Sequence, residues 1–485
     1  MSARLPLAPG CRQTFGSSLT AALSLLFVTI VCASRLGAVE PAAAATAVES
    51  VTPGERSSGD VRPRDVIDAW IERRAAEAGE PLAPQATDAE FLRRVTLDLT
   101  GRVPSADEAR RFPESQLPDK RERLVDGLLR SPEHARHWQV TLDNLLMQRR
   151  PAKHVDLASW RGYLHQSARE NKPWDVLVVE LLSANGADPQ TRPAARFVLD
   201  RELKMEETVR DIGRILLGKD LQCAQCHDHP NVEDYLQRHY HGLSAFLNRA
   251  YLFQDPGTKL TSWGEKAEGE VKFTSVFTGV EGNVSPRVLN ERELFDPPLE
   301  DPQGIYRVKP EKNARGVPTY SRMELLAREL TRPQNESFRV NIANRLWASM
   351  MGAGIVDPVD MVHSAAANSH PELLQWLAND LADHGYDMQR TLREIALSRA
   401  YQRASQVDSA SARPELLGAG PLKPLTPEQL AWSLMIATGV DAEARHAALA
   451  KLSPAPQPAA PAPPLESPEL LWQLEADVNK SQQSI

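Results

Sequence analysis

The stretch Gly213-Arg-Ile-Leu-Leu-Gly-Lys-Asp-Leu-Gln-Cys-Ala-Gln-Cys-His227 lies near the middle of the 485-residue chain and joins two kinds of signal. Its first part ends a run of helical character over residues 206–217, and Gly218 stands where a glycine commonly terminates a helix. The remainder is a Cys-x-x-Cys-His motif over residues 223–227. The stretch therefore predicts a helical protein with one local chemical site.

Helical periodicity and capping signals extend on both sides of this stretch. The sequence predicts a mainly α fold, with two helical domains joined by an irregular connector that has a few short β-strands. The predicted boundaries are residues 61–250 for the first helical domain, 251–320 for the connector and 321–440 for the second helical domain. Capping boxes are predicted at three helix starts, namely Ser105 with Glu108, Ser369 with Glu372, and Thr426 with Gln429.

The two ends of the chain have the composition of targeting and linking segments. Residues 1–38 combine arginines, an uncharged apolar run over 19–33 and small residues, which predicts a secretory signal peptide. Residues 39–60 read as a flexible spacer, and residues 441–485 as a Pro/Ala linker with a short helical tail. We expect a periplasmic or secreted protein with no stable membrane span unless the N-terminal segment remains uncleaved.

Charge and cysteine content narrow the class of protein. The chain is 42% hydrophobic and 25% charged, with a net charge of −8, as in an ordinary soluble globular protein. An acidic chain without a basic run does not favour binding to nucleic acid. Two of the four cysteines lie in residues 1–38, so Cys223 and Cys226 are the thiols that remain after cleavage. A pair three residues apart predicts a local site and not a disulfide scaffold.

The Cys-x-x-Cys-His motif is the pattern for covalent attachment of c-type haem. Cys223 and Cys226 can form thioethers with the two vinyl groups of one porphyrin, and His227 can then be the proximal iron ligand. Two alternatives stay open at this point. Cys223, Cys226, His227 and His229 also have the ligand types of a zinc or iron ion site. A reduced, disulfide-bonded or disulfide-exchanging cysteine pair is the other alternative.

A distal iron ligand is harder to place. The first methionine after the motif is Met323, beyond the connector, so a second histidine is the expected distal ligand. His239 and His241 are the nearest candidates, whereas His229 is too close to His227 to reach the opposite face of a haem. The candidate metal ligands are therefore His227, His229, His239 and His241.

Three other constellations point to structural roles. Asp98 lies one turn after Arg93 and Arg94, which predicts an internal ion pair. The acidic and histidine residues between 357 and 370 are expected to form a loop with turn and capping residues. Polar residues on the helix over 341–347 are expected to make contacts across a domain interface.

Several motifs resemble one family. They are Phe91-Leu-Arg-Arg-Val-Thr-Leu-Asp-Leu-Thr-Gly101, Leu221-Gln-Cys-Ala-Gln-Cys-His-Asp-His-Pro230, Asn341-Ile-Ala-Asn-Arg-Leu-Trp347 and Arg393-Glu-Ile-Ala-Leu-Ser-Arg-Ala-Tyr-Gln402. Together they resemble a secreted planctomycete cytochrome-like family made of two consecutive domains of unknown function. The resemblance implies an exported protein and is consistent with haem c. It implies no established activity.

These observations give two expectations about function. The first is an exported electron-transfer protein with one covalent haem c, whose partner is a redox protein in the same compartment. The second is a non-enzymatic exported scaffold or binding protein, in which the Cys/His cluster is a structural zinc or iron site or a disulfide. The sequence leaves open whether the protein is an enzyme.

Overall fold

Helices make up most of the described chain between residues 61 and 247. The computed structural model describes residues 61–274, 279, 281–298, 304–406 and 413–452. The predicted signal peptide, the spacer and the tail after residue 452 lie outside the described residues. The first ten α-helices are α1 Pro63–Ala78, α2 Asp88–Thr100, α3 Ala106–Glu114, α4 Lys120–Leu129, α5 Pro132–Met147, α6 Leu157–Arg169, α7 Trp174–Ser183, α8 Arg196–Leu199, α9 Met205–Asp211 and α10 Gln237–Leu247.

The described part of the connector contains six short strands, where the sequence predicts a few. They are β1 Ala250–Gln254, β2 Thr261–Glu265, β3 Val271–Thr274, β4 Glu281–Val284, β5 Tyr306–Val308 and β6 Val317–Pro318. Each consecutive pair forms a two-stranded antiparallel sheet. Trp263 of β2 links the β1–β2 hairpin to the end of α7, because its indole N–H donates to the carbonyl oxygen of Ala184 at 2.9 Å.

The second half of the described chain returns to helices. They are α11 Arg322–Leu330, α12 Glu336–Met351, α13 Pro371–Asp383, α14 Met388–Leu397, α15 Arg399–Gln402, α16 Pro427–Thr438 and α17 Val440–Leu452. The predicted mainly α fold is confirmed. No helix in the parts of the chain that the structure describes is both long and apolar enough to cross a membrane.

Local capping signals explain several helix starts, with one exception. Ser105 and Thr426 form the predicted capping boxes at α3 and α16. The box predicted at Ser369 is wrong: α13 begins one residue later, with His370 as its N-cap and Pro371 at its first position. The Ser369 hydroxyl instead lies 3.0 Å from Nδ1 of His370, so it does not serve the helix.

One hydrophobic core runs through both helical halves. The described residues belong to a single compact unit, and α1 packs against α13, α14 and α15. The ion pair predicted between Asp98 and Arg93 or Arg94 is wrong, because residues from the second half of the chain reach Asp98. Asp98 binds Tyr401 and Lys423, at 2.7 Å each, from the second half of the chain. Arg94 instead donates to the carbonyl oxygens of Tyr401 and Arg403.

Candidate functional site

The segment that leads into the cysteines ends in an irregular turn. After α9 the chain widens into a π-helix over Ile212–Leu216, and Gly218 then adopts a φ of +67°. The amide of Lys219 donates to the carbonyl oxygen of Gly213 at 2.8 Å. A Cβ on Gly213 would lie 2.6 Å from the carbonyl oxygen of Lys219, so the turn requires glycine at that position.

The two cysteines lie on one short turn at the surface. Residues Cys223–Gln225 form a 3₁₀ turn, in which the Cys226 amide donates to the Cys223 carbonyl oxygen at 3.4 Å. Leu221 and Ala224 are buried beneath the turn, whereas both thiols are exposed and no disulfide joins them. We call residues 223–227 the cysteine turn.

A hydrogen bond to the backbone carbonyl of Asp228 sets the tautomer of the His227 ring. Nδ1 of His227 donates to the carbonyl oxygen of Asp228 at 2.7 Å. In the neutral ring this bond places the proton on Nδ1 and the lone pair on Nε2, the nitrogen through which such a histidine binds a metal. The ring itself is half-buried. His227 therefore has the tautomer that an axial ligand requires.

Helix α10 holds the cysteine turn from one side. The Gln237 side chain donates to the carbonyl oxygen of Cys226 at 2.8 Å, and the Gln237 amide donates to Oδ1 of Asp228 at 2.7 Å. One turn further along α10, the His241 ring bonds to the carbonyl oxygen of Gln225. Burial lowers the pKa of His241, and the Gln225 carbonyl partly opposes that shift. His241 therefore lies directly against the turn.

His239 and His229 are engaged elsewhere. Nδ1 of His239 accepts from the Leu236 amide at 3.3 Å, and its Nε2 donates to Oδ1 of Asn290 at 2.8 Å. Burial lowers the pKa of His239 to about 4. Nδ1 of His229 accepts from the Asn231 amide at 3.2 Å, which places the proton of the neutral ring on Nε2. Both bonding patterns differ from that of His227.

The second half of the chain holds the cysteine turn from the other side. The carbonyl oxygen of Val362 accepts from the Lys219 ammonium at 2.8 Å and from the Tyr235 hydroxyl at 3.1 Å. Asp234 accepts from the amide and the hydroxyl of Ser364, at 2.5 and 2.8 Å. We call residues 355–369 the docking loop. It fixes the chain on both sides of the cysteine turn.

Helix α12 completes this support. The Asn341 side chain donates to the carbonyl oxygen of Ile215 at 2.7 Å, and Arg345 donates to that of Arg214 at 2.6 Å. These bonds satisfy carbonyl groups that the π-helix leaves open. The cross-domain contacts predicted from this helix are confirmed for Asn341 and Arg345, whereas Asn344 bonds to Val356 in its own half of the chain. Asp360 of the docking loop binds Arg214 at 2.8 Å, in agreement with the structural role expected for that loop.

The four candidate histidines thus have different surroundings. His227 belongs to the cysteine turn, His241 packs on it, His239 bonds to Asn290, and the His229 ring meets the Tyr235 ring edge-on at 5.8 Å. Within the described ranges, no three His, Cys, Asp or Glu side chains are grouped to hold a metal ion. The sequence did not single out Asp234 or Tyr235, because their partners lie about 130 positions away.

Two protein-family models match the two parts of the chain that form this site. Residues 66–251 match the family model PSCyt2, a protein of unknown function (DUF1549), and residues 321–475 match PSD1, a protein of unknown function (DUF1553). The chain carries two consecutive family domains. The predicted pair of domains of unknown function is confirmed. The cysteine turn lies in the PSCyt2 domain, and the docking loop and α12 lie in the PSD1 domain.

The PSCyt2–PSD1 arrangement is what these comparisons establish. No curated protein and no solved structure matches the chain significantly. The source organism and the export of the protein stay predictions.

Proposed function

We propose that the protein is an exported electron-transfer protein that carries one c-type haem on the cysteine turn. Cys223 and Cys226 form the thioether links, and His227 is the proximal ligand. The observation that carries this proposal is the combination of two free, exposed thiols on one turn with an adjacent histidine whose Nδ1 is already bonded to a backbone carbonyl. Exposed thiols are accessible to covalent attachment.

Hydrogen bonds around the turn support this proposal. When bound, the haem supplies one-electron transfer at its iron. The Asp228 carbonyl orients the His227 ring, and Gln237 holds the backbone at Cys226, so both sides of the motif are fixed. Hydrogen bonding and burial around the proximal histidine tune the potential of such a site. The physiological partner is then another redox protein in the same compartment.

A second function is favoured by the dense bonding of the turn. Helix α10, the docking loop and α12 all bond to residues 214–235, as expected for a segment with a structural role. In this alternative the protein is a non-enzymatic exported scaffold, and the cysteines form a disulfide or help to bind a zinc or iron ion.

Expression with its own N-terminal segment tests the first proposal. The full chain is produced in a bacterial host with haem c maturation machinery, and its absorption spectrum and intact mass are measured. We expect a Soret band, sharp α and β bands and a mass increase of one haem. Cys223→Ser with Cys226→Ser should abolish all of these, whereas Cys11→Ser is the matched control and should retain them.

A colourless, unmodified protein from that host contradicts the haem proposal. Elemental analysis and thiol titration of the same sample then separate the alternatives. Stoichiometric zinc or iron indicates a metal site, and the loss of two titratable thiols without metal indicates a disulfide.

A further inference from the structure

An open apolar groove lies between α2, α3 and α16, on residues that take no part in the cysteine turn. It has a volume of about 520 Å³ and is lined mainly by Ala89, Leu92, Val103, Leu425, Leu430 and Leu434. Leu430 is 49% exposed and Leu434 is 56% exposed. Each of these leucines forgoes part of the stabilisation that full burial of its side chain gives. This groove is an apolar surface that a further element can cover.

Helix α16 turns its leucines outward and its polar residues inward. Gln429 is buried and donates to the carbonyl oxygen of Leu97 at 3.0 Å. Ser433 is buried too, and it lines the groove with a hydroxyl that has no hydrogen-bond partner among the described residues. Leu430 and Leu434 therefore present an apolar surface that the described part of the chain leaves uncovered.

The chain itself contains a segment that can cover this apolar surface. The described chain ends at Leu452, and 33 residues follow it. Among them, residues 468–478 read Pro-Glu-Leu-Leu-Trp-Gln-Leu-Glu-Ala-Asp-Val, with apolar residues at 471, 474 and 478 at helical spacing. The PSD1 match runs to residue 475, so the family domain includes most of this segment.

Length and charge both favour an occupant from the same chain. Residues 453–467 are rich in proline, and an extended proline-rich chain of that length spans about 45 Å. Helix α17 is only about 20 Å long, so the linker can return the tail to the groove beside α16. Arg93 lines the groove, and the tail contains Glu469, Glu475 and Asp477. Opposite charges at the rim favour this pairing.

We propose that residues 468–478 form an amphipathic helix that docks in the groove between α2, α3 and α16. Leu471, Leu474 and Val478 cover Leu430 and Leu434, and the Ser433 hydroxyl gains a polar partner at the edge of the docked segment. The tail is then an integral part of the PSD1 domain. This proposal is independent of the haem proposal.

Hydrogen–deuterium exchange on the full chain tests the docking. We expect amides of residues 470–474 to be protected in the unaltered protein, and Leu430→Asp to accelerate their exchange at least about tenfold. Leu260→Asp is the matched control, because Leu260 is also 49% exposed but lies in the loop of the β1–β2 hairpin. It should leave the tail unchanged. Leu474→Asp should accelerate exchange from the tail side without altering the groove.

Two results would overturn the proposal. One is exchange of residues 470–474 in the unaltered chain at the rate of an unstructured peptide. The other is a dimer in sedimentation that Leu430→Asp converts to a monomer while the exchange of the tail stays unchanged. That result would make a second copy of the chain the occupant of the groove. Acceleration in Leu474→Asp supports the proposal even if Leu430→Asp fails to fold.

Discussion

At the scale of single residues, the four candidate histidines differ in which ring nitrogen carries the proton. His227 donates from Nδ1 to a carbonyl oxygen, whereas His229 accepts at Nδ1 from a backbone amide. His239 uses both of its ring nitrogens in hydrogen bonds within the fold. His241 contacts the cysteine turn through the Gln225 carbonyl. For the proposed haem, these patterns favour His227 as the proximal ligand and leave His239 and His241 as the candidate distal ligands.

If the cysteine turn carries the proposed haem and His241 is its distal ligand, we predict that His241→Ala changes the haem spectrum without removing the haem. The thioether links do not involve His241, so the intact mass should still include one haem. Loss of the distal imidazole should convert a low-spin absorption spectrum to a high-spin one. His239→Ala is the comparison: it removes two internal hydrogen bonds, so it should lower stability and leave the spectrum low-spin. An unaltered spectrum in His241→Ala would exclude His241 as a ligand.

At the scale of elements, the site depends on a loop from the other domain. The docking loop bonds to Lys219 and Tyr235 through Val362, and to Asp234 through Ser364. Helix α12 adds bonds to the π-helix that precedes the cysteines. The PSD1 domain thus helps to hold the chain on either side of the motif in the PSCyt2 domain.

We predict that Asp234→Ala loosens the docking loop. The substitution removes two hydrogen bonds to a carboxylate at the half-buried Asp234, which should cost about 1–2 kcal/mol of stability. Urea unfolding measures this loss, and hydrogen exchange of residues 362–366 reports the loosening. Ser364→Ala keeps the backbone bond and removes only the hydroxyl, so its effect should be about half as large. Equal stability of Asp234→Ala and the unaltered protein would contradict a holding role for this contact.

Most elements that depend on neighbouring residues could be predicted from the sequence, whereas the particular partners in long-range pairs could not. The capping boxes at α3 and α16 need residues only three positions apart, so their signals are local. The Tyr235–Val362 bond joins a side chain to a backbone carbonyl 127 positions later, and a carbonyl has no sequence signature. Asp98 shows the same limit, since Arg94 was the local candidate and Lys423 is the actual partner.

At the scale of the whole molecule, the shared core encloses titratable rings from both domains. His134 of α5 donates from Nδ1 to the carbonyl oxygen of Leu99 at 2.8 Å, and burial lowers its pKa to about 4. Burial also lowers the pKa of His370 at the start of α13 to about 4. Both rings are almost fully buried. Their ordinary pKa is about 6.5, so the unfolded chain takes up protons on them first as the pH falls.

We predict that the protein loses stability as the pH falls from about 6.5 to about 4. The free energy of unfolding should be fully retained above this window, and each buried ring should contribute a loss on the order of 3 kcal/mol across it. Urea unfolding at pH 7 and pH 4.5 measures the difference. His134→Gln should reduce that difference by about 2 kcal/mol.

The exposed His446 on α17 supplies the control for this measurement. His446→Gln should show the same difference between pH 7 and pH 4.5 as the unaltered protein. A full difference retained in His134→Gln would contradict the assignment to that ring.

The distance along the chain between the cysteine turn and the docking loop has a consequence for biosynthesis. Asp234 and Ser364 are 130 positions apart, so the turn leaves the ribosome well before its second support exists. At about 5–20 residues per second, this delay is on the order of ten seconds. During that interval the two thiols belong to a nascent chain in which the turn is held by α10 alone. The order of synthesis therefore leaves an interval in which the chain on either side of the cysteine turn lacks its contacts with the PSD1 domain.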